Sequence, residues 1–153
     1  MTPLHSVSVT AVVVRGDGRI LVIRRRDDAR LVPPGGVLEL GESPQDGVAR
    51  EALEETGYEV EALRLTGVYK DMRQGVVTLA FLCRVAGGSA RVTDEATEVM
   101  WLTPAEVERD VAEARAVRVT DALAGNLVPV RVHDGERVLG AGDRQTRRAW
   151  RTH

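Results

Sequence analysis

Cysteine, lysine, histidine and aromatic residues are all scarce in this chain, and each scarcity removes a class of chemistry. The one cysteine, Cys83, cannot close a disulfide within the chain. The one lysine, Lys70, sits in Tyr69-Lys70-Asp71 with no glycine-rich run before it, which excludes a P-loop. Three scattered histidines, His5, His133 and His153, give a zinc site or a Ser-His-Asp hydrolase little to draw on. No apolar run approaches the roughly 20 residues that span a bilayer. The longest, Val7 to Val14, is interrupted by Ser8 and Thr10 and stopped by Arg15. No excess of charge exists either: 21 basic against 23 acidic residues leave −2, so no global field draws the chain to nucleic acid or an anionic membrane. The N-terminus lacks the order of a signal peptide, and the expected location is cytoplasmic.

What remains is 153 residues with 43% hydrophobic and 29% charged content, the profile of a single soluble domain able to bury roughly 70% of its unfolded surface. Its chemistry is expected to run on carboxylates. From Ser6 to Arg26 two valine- and isoleucine-rich segments flank Gly16-Asp17-Gly18, which predicts a hairpin. Asp27 to Gly41 holds Pro33-Pro34-Gly35-Gly36 and reads as an ordered loop. Ser43 as N-cap, Pro44 at the first helical position and Gly57 as stop predict a helix over 44–56. Strands are expected over 59–71, 76–85 and 98–102, paired antiparallel with one another. Thr103-Pro104-Ala105-Glu106 has the form of a capping box, opening a helical region that runs with a break to Gly125. A second hairpin is expected over 127–139, turning at Asp134-Gly135. The tail after Gly140, with Arg144, Arg147, Arg148 and Arg151, reads as a frayed basic terminus.

On a helical wheel Glu51, Glu54 and Glu55 fall within an arc of about 100°. Ala49, Ala52, Leu53 and Thr56 form the opposing, less polar side, which is expected to lie on a sheet while the acids face a groove. Like charges four residues apart destabilise a bare helix, so the arrangement calls for a cation among the acids. Oxygen ligands suit hard divalent ions, Mg²⁺ first and Mn²⁺ as substitute, and such ions bridge carboxylates to substrate phosphates.

The segment from Gly36 through Glu42 to Arg50-Glu51-Ala52-Leu53-Glu54-Glu55-Thr56-Gly57-Tyr58 resembles the Nudix box, Gly-x5-Glu-x7-Arg-Glu-U-x-Glu-Glu-x-Gly-U, at all seven fixed positions. Ala52 and Tyr58 stand where bulky aliphatic residues are usual. The flanking order of elements is also similar through about Leu123, and the resemblance implies an α/β fold, the Nudix-like α/β/α sandwich with a mixed sheet, over residues 1–140. It implies that Glu51, Glu54 and Glu55 bind metal with the carbonyl of Gly35, that Arg50 orients the glutamates, and that Glu42 holds Arg50 from behind. It also implies hydrolysis of a nucleoside diphosphate derivative by water attacking phosphorus. Glu51 is the favoured general base, with Glu95 and Glu98, on the loop before Trp101, as competitors; Glu95 otherwise reads as a supporting acid.

For the substrate, strand alternation sets Leu21, Ile23 and Arg25 on one face and Val22, Arg24 and Arg26 on the other. Arg25 is the expected phosphate contact, Gly36 a close backbone approach, and Tyr69 the expected base-stacking residue, with Phe81 and Trp101 assigned to the core. Cys83 reads as an inert buried thiol. No proline lies between Gly57 and Trp101, where ADP-ribose hydrolases of this family often carry one, so conversion of a nucleoside triphosphate to monophosphate and pyrophosphate ranks first. ADP-ribose or nucleotide-sugar hydrolysis, or a non-catalytic nucleotide sensor, stands as the alternative. The expected partner is a nucleotide-type small molecule, not nucleic acid or membrane, and family resemblance adds a homodimer.

Overall fold

The computed structural model describes residues 1–140, and the arginine-rich tail lies outside the described residues. Along the chain run β1 (Ser6–Val13), β2 (Ile20–Arg25), β3 (Leu31–Val32), β4 (Gly35–Val37), α1 (Pro44–Thr56), β5 (Tyr58–Asp71), β6 (Val76–Gly88), β7 (Ala96–Leu102), α2 (Pro104–Asp110), α3 (Glu113–Ala124) and β8 (Val130–His133). They form a five-stranded sheet in the order β4-β1-β6-β5-β8 and a three-stranded sheet in the order β3-β2-β7. The larger sheet is mixed: β1 runs parallel to β6, and β5 parallel to β8.

The helices cover opposite faces. Alternate residues of a strand point to opposite sides, and on β1 Val9, Ala11 and Val13 join Val48 and Ala52 of α1 in one core. Val12 turns the other way, into a second core with Val107, Val119 and Ala122 of α2 and α3. Burial on both faces explains why β1 and β2 read as nearly unbroken apolar runs.

The turn expected at 16–18 forms, with the Gly18 N–H donating to the Arg15 carbonyl at 2.9 Å. The hairpin does not. Beyond the single Val14–Ile20 bridge the two strands separate, β1 pairing with β4 and β6 and β2 with β3 and β7. An apolar pattern specifies burial and leaves the hydrogen-bonding partner open, and eight residues of parallel pairing with β6 win here. For the same reason β7 pairs with β2, while β5 and β6 pair antiparallel as expected. The stretch read as loop at 27–41 contributes two short edge strands, β3 and β4. The predicted second hairpin is reduced to β8 and a single bridge, His133–Val138, because β8 takes β5 as its partner.

Helix α1 has the expected limits. The Ser43 side chain accepts from the Asp46 N–H, and Gly57 ends the helix at φ 84°, a left-handed conformation that glycine adopts without a Cβ penalty. The Thr103–Glu106 capping box starts α2, the chain breaks at Val111-Ala112, and α3 ends at Gly125. Among the described residues no helix is long and apolar enough to cross a membrane.

Candidate active site

The middle of α1 is unusual. Its buried residues are Gly47, Val48, Glu51, Ala52, Glu55 and Thr56, so two glutamates lie within the packed face. The expected separation of an acidic face from a packing face is therefore corrected: Leu53, assigned to the packing side, is 39% exposed. Glu51 and Glu55 retain 8% and 7% of their exposure. They reach the rim of a cleft of about 610 Å³ that opens where β1, β2 and β4 meet α1 and α3.

Backbone geometry makes room for these acids. At Gly36 a Cβ would lie 2.6 Å from Glu51 Oε1, so glycine lets the β4 backbone approach that carboxylate without displacing it. The N–H of neighbouring Gly35 donates to Glu55 Oε2 at 2.9 Å. Glu95 completes the group from the loop before β7, and one carboxylate oxygen from each of Glu51, Glu55 and Glu95 lies within 4.8 Å of the other two. That loop is fastened by Arg26, whose backbone N–H donates to the Glu95 carbonyl at 2.9 Å. Its guanidinium donates to the carbonyls of Asp94 and Thr93 at 3.1 and 2.9 Å.

Arg50 holds the opposite side. It donates twice to Glu42, at 2.9 and 2.6 Å, then to Glu51 Oε1 at 2.9 Å, Glu54 Oε2 at 3.2 Å and the Val37 carbonyl at 3.2 Å. A guanidinium with two carboxylate oxygens in its fork is directionally fixed, and this one aligns Glu51 by its remaining N–H groups. The pair drives the Glu42 carboxyl down to about 2, mainly through the Arg50 hydrogen bonds. Burial acts the other way on the central acids. It pushes Glu55 up to about 8, against the Gly35 N–H, with the like charges of Glu51 and Glu95 adding to the rise. Glu51 is also raised by burial, opposed by Arg50.

Two buried carboxylates and an exposed third, crowded together and offering oxygen only, form a donor set suited to a hard divalent cation. Glu54, expected among the ligands, is exposed and paired with Arg50, outside this group. On the wheel it stands at the edge of the arc, turned toward Arg50, whereas Glu95 arrives from a distant loop that no helical spacing could indicate. Gly35 lines the cleft, and its N–H donates to Glu55 Oε2.

Among the other expected site residues, Arg25 and Gly36 line the cleft. Arg25 is bound to Asp27 at 3.1 and 2.6 Å, with Asp28 at 3.7 Å. Glu98 does not reach the cleft; it is the register partner of Arg24 across β2–β7 and forms an exposed ion pair with it at 3.1 Å. Tyr69 is corrected too. It is fully buried, its hydroxyl donates to Asp121 Oδ2 at 2.8 Å, and a Cβ on Gly67 would come within 2.3 Å of that hydroxyl. Adjacent charges at Lys70 and Asp71 suggested exposure, but strand alternation turns Tyr69 inward beneath α3. No aromatic side chain lines the cleft among the described residues. Cys83 is buried and its thiol is pushed up to about 12, as an inert group should be.

Sequence reasoning passed over the α3 wall, where Arg115 and Arg118 line the same cleft. A signal existed: Arg118 has Ala114 and Ala122 four residues to either side and Val119 next to it, inside an apolar stripe.

Comparison with known proteins agrees with this architecture. The NUDIX domain family model matches residues 4–123. A MutT-like protein of Streptomyces ambofaciens is 55% identical over 140 residues, covering 92% of this chain and 91% of that one. An ADP-ribose pyrophosphatase of Methanocaldococcus jannaschii is 33% identical over 102 residues, 62% of this chain and 60% of that one. In fold, the crystal structure of an ADP-ribose pyrophosphatase from Streptococcus suis superposes with a TM-score of 0.69 at 21% identity, over 85% of this chain and 100% of that one. With the box helix, the mixed sheet and the acid-lined cleft already in place, the match over 4–123 means that this chain belongs to the NUDIX domain family, the family of Nudix hydrolases.

Proposed function

We propose that this chain is a divalent-cation-dependent hydrolase that cleaves the pyrophosphate linkage of a nucleoside diphosphate derivative, with Mg²⁺ as the metal and Mn²⁺ as a substitute. The observation that carries this reading is the convergence of Glu51, Glu55 and Glu95 within 4.8 Å at the rim of a cleft also lined by Arg25. Burying like charges together is unfavourable unless a cation offsets them. Glu51 and Glu55 would hold the metal from α1 and Glu95 from its loop, with Glu54 available at the exposed edge. A metal bound there supplies Lewis-acid polarisation of the phosphoryl oxygens and a lowered pKa for bound water.

The protein's own contributions follow from the contacts described above. Glu42 fixes Arg50, Arg50 fixes Glu51, and Gly35 fixes Glu55, so the carboxylates are preorganised before substrate arrives. Glu51 and Glu95 are the favoured contenders for the general base, and the pairing of Glu98 with Arg24 away from the cleft supports ranking it behind them. Arg25 supplies positive charge beside the metal end, exchanging Asp27 for a phosphate, and Gly36 allows the close approach of substrate to the β4 backbone.

Conversion of a nucleoside triphosphate to monophosphate and pyrophosphate is the first reading of the substrate, in a cytoplasmic enzyme that pairs as a homodimer. A second, ADP-ribose hydrolysis, is favoured by the similarity to the Methanocaldococcus jannaschii ADP-ribose pyrophosphatase. The test is product analysis over nucleoside triphosphates, ADP-ribose and nucleotide sugars with Mg²⁺, Mn²⁺ or EDTA. Pyrophosphate release from a triphosphate supports the first reading, and AMP with ribose phosphate from ADP-ribose supports the second. No cleavage of any of them by folded protein with either metal would overturn the enzymatic assignment.

A further inference from the structure

Helix α3 buries a guanidinium that the fold leaves short of acceptors. Arg118 is 2% exposed, and among the described residues it has no carboxylate partner. Its Nη1 donates to Thr10 Oγ1 at 3.0 Å, its plane lies over the Tyr69 ring at 5.4 Å, and its Nε has no hydrogen-bond partner. The remaining neighbour, His133 Nε2 at 3.4 Å from Nη2, is a poor acceptor. The Gly135 N–H donates to Nδ1 of that ring at 3.0 Å, so a neutral His133 carries its proton on Nε2, facing the arginine. One turn earlier, Arg115 is half-buried against the same cleft, with no hydrogen bond or ion pair to a described residue. Burial and the neighbouring arginine charges lower both groups, Arg118 to about 9, and the Asp71 carboxylate, which is not hydrogen-bonded to either, only partly opposes this.

A desolvated cation without an anion is costly. The site would be compensated by a ligand that brings acceptors only. Placement says which ligand. Thr10, the anchor of Arg118, is the register partner of Gly35, whose N–H binds Glu55. One rung of the β1–β4 ladder thus separates the acid end of the cleft from its arginine end, and a single molecule filling the cleft meets both. We infer that Arg115 and Arg118 form a second anion subsite, which takes a phosphate group carried by the nucleotide in addition to the pyrophosphate at the carboxylate end. This rests on the proposed hydrolase reading and adds a substrate class: nucleoside diphosphate derivatives with a further phosphate on a sugar hydroxyl. Arg115 is the contact residue, and Arg118, held by Thr10 and Tyr69, positions it and supplies the field.

The test has two arms. In the first, inorganic phosphate is titrated calorimetrically into the full chain in EDTA, where metal-free carboxylates repel anions. Binding that weakens by about tenfold or more in Arg115→Ala supports the subsite, in line with loss of a charge-assisted contact; binding equal in both proteins, or absent from both, overturns it. In the second, kcat/KM with Mg²⁺ is compared for ADP-ribose and 2′-phospho-ADP-ribose, and for GTP and its 3′-phosphorylated form. A preference of about tenfold or more for a phosphorylated member, abolished in Arg115→Ala, supports a substrate-borne phosphate. Equal kcat/KM within both pairs overturns it, as does a preference that survives in Arg115→Ala. An Arg115-dependent choice of base without phosphate binding would reassign the wall to base recognition. Should none of the four compounds be cleaved, the phosphate titration still decides the subsite, and the hydrolase reading is judged on the wider panel above. Arg118→Lys, judged by thermal unfolding and phosphate affinity together, separates loss of fold from loss of field.

Discussion

The two ends of the cleft carry opposite charge and solve the problem of buried charge differently. At the α1 end the acids of the box have partners within the protein: Glu51 has Arg50, Glu55 has the Gly35 N–H, and Glu42 has two bonds from Arg50. At the α3 end, among the described residues, Arg118 has a hydroxyl and an aromatic face but no hydrogen-bonded or ion-paired carboxylate, and Arg115 has no hydrogen bond or ion pair. The acid end is preorganised with its geometry locked. The arginine end is unsatisfied, and its geometry comes from apolar packing of α3. Preorganisation of that kind suits chemistry, while unmet acceptor demand suits recognition.

Removing an acid should break the comparison most sharply. Glu55→Gln keeps the Gly35 hydrogen bond but removes a charge from the proposed metal site, and kcat is expected to fall by about 10²–10³-fold while the variant folds. Steady-state kinetics with the Mg²⁺ concentration varied would check this, and unchanged turnover would remove Glu55 from the metal site.

Charge crowding at the acid end also predicts how stability depends on pH in EDTA. Glu55 is held up to about 8 in the fold, against an ordinary value near 4.5, so between these values the native state binds a proton that the unfolded chain has released. Its stabilising contribution is therefore whole below about 4.5 and is lost as pH rises through about 8. Glu51 and Glu95 face this group with negative charge and Arg25 with positive charge. Thermal unfolding in EDTA is expected to give a lower Tm at pH 8.5 than at pH 6, with Mg²⁺ narrowing the gap and Glu55→Gln flattening it.

Arg50→Lys preserves the charge but loses the fork that holds Glu42 and Glu51 together, so kcat/KM should drop by about tenfold with little change in Tm. A larger loss of stability than of activity would make Arg50 a folding residue first. The smallest effect is expected where no catalytic contact exists. Tyr69→Phe removes the buried bond to Asp121, leaves the Arg131–Asp121 pair intact, and should cost about 1 kcal/mol in denaturant unfolding without altering kcat/KM.

Local order was legible wherever the signal was local. Ser43, Pro44 and Gly57 delimit α1, Thr103 and Glu106 form the capping box, and the spacing from Gly36 to Tyr58 marks the family. Glu51 and Glu55 could be placed together because one helical turn relates them. Glu54 shares that turn, but the wheel could not show that Arg50, four residues earlier, would draw it to the edge. The β1–β2 turn was equally readable and the separation of its strands was not, because partner choice depends on β6, more than sixty residues away.

By itself, then, the sequence determined what helical and turn geometry can encode over a few residues: the ends of α1, and the box with its paired glutamates. Only the tertiary structure decided that Glu95 and not Glu54 closes the acid group, that Glu98 pairs away on β2, that Tyr69 turns into the core, and that Arg115 and Arg118 face the acids across one cleft. Those outcomes rest on contacts between segments far apart in the chain, whose pairing is selected by the joint burial of two apolar layers and by nothing written in any one segment.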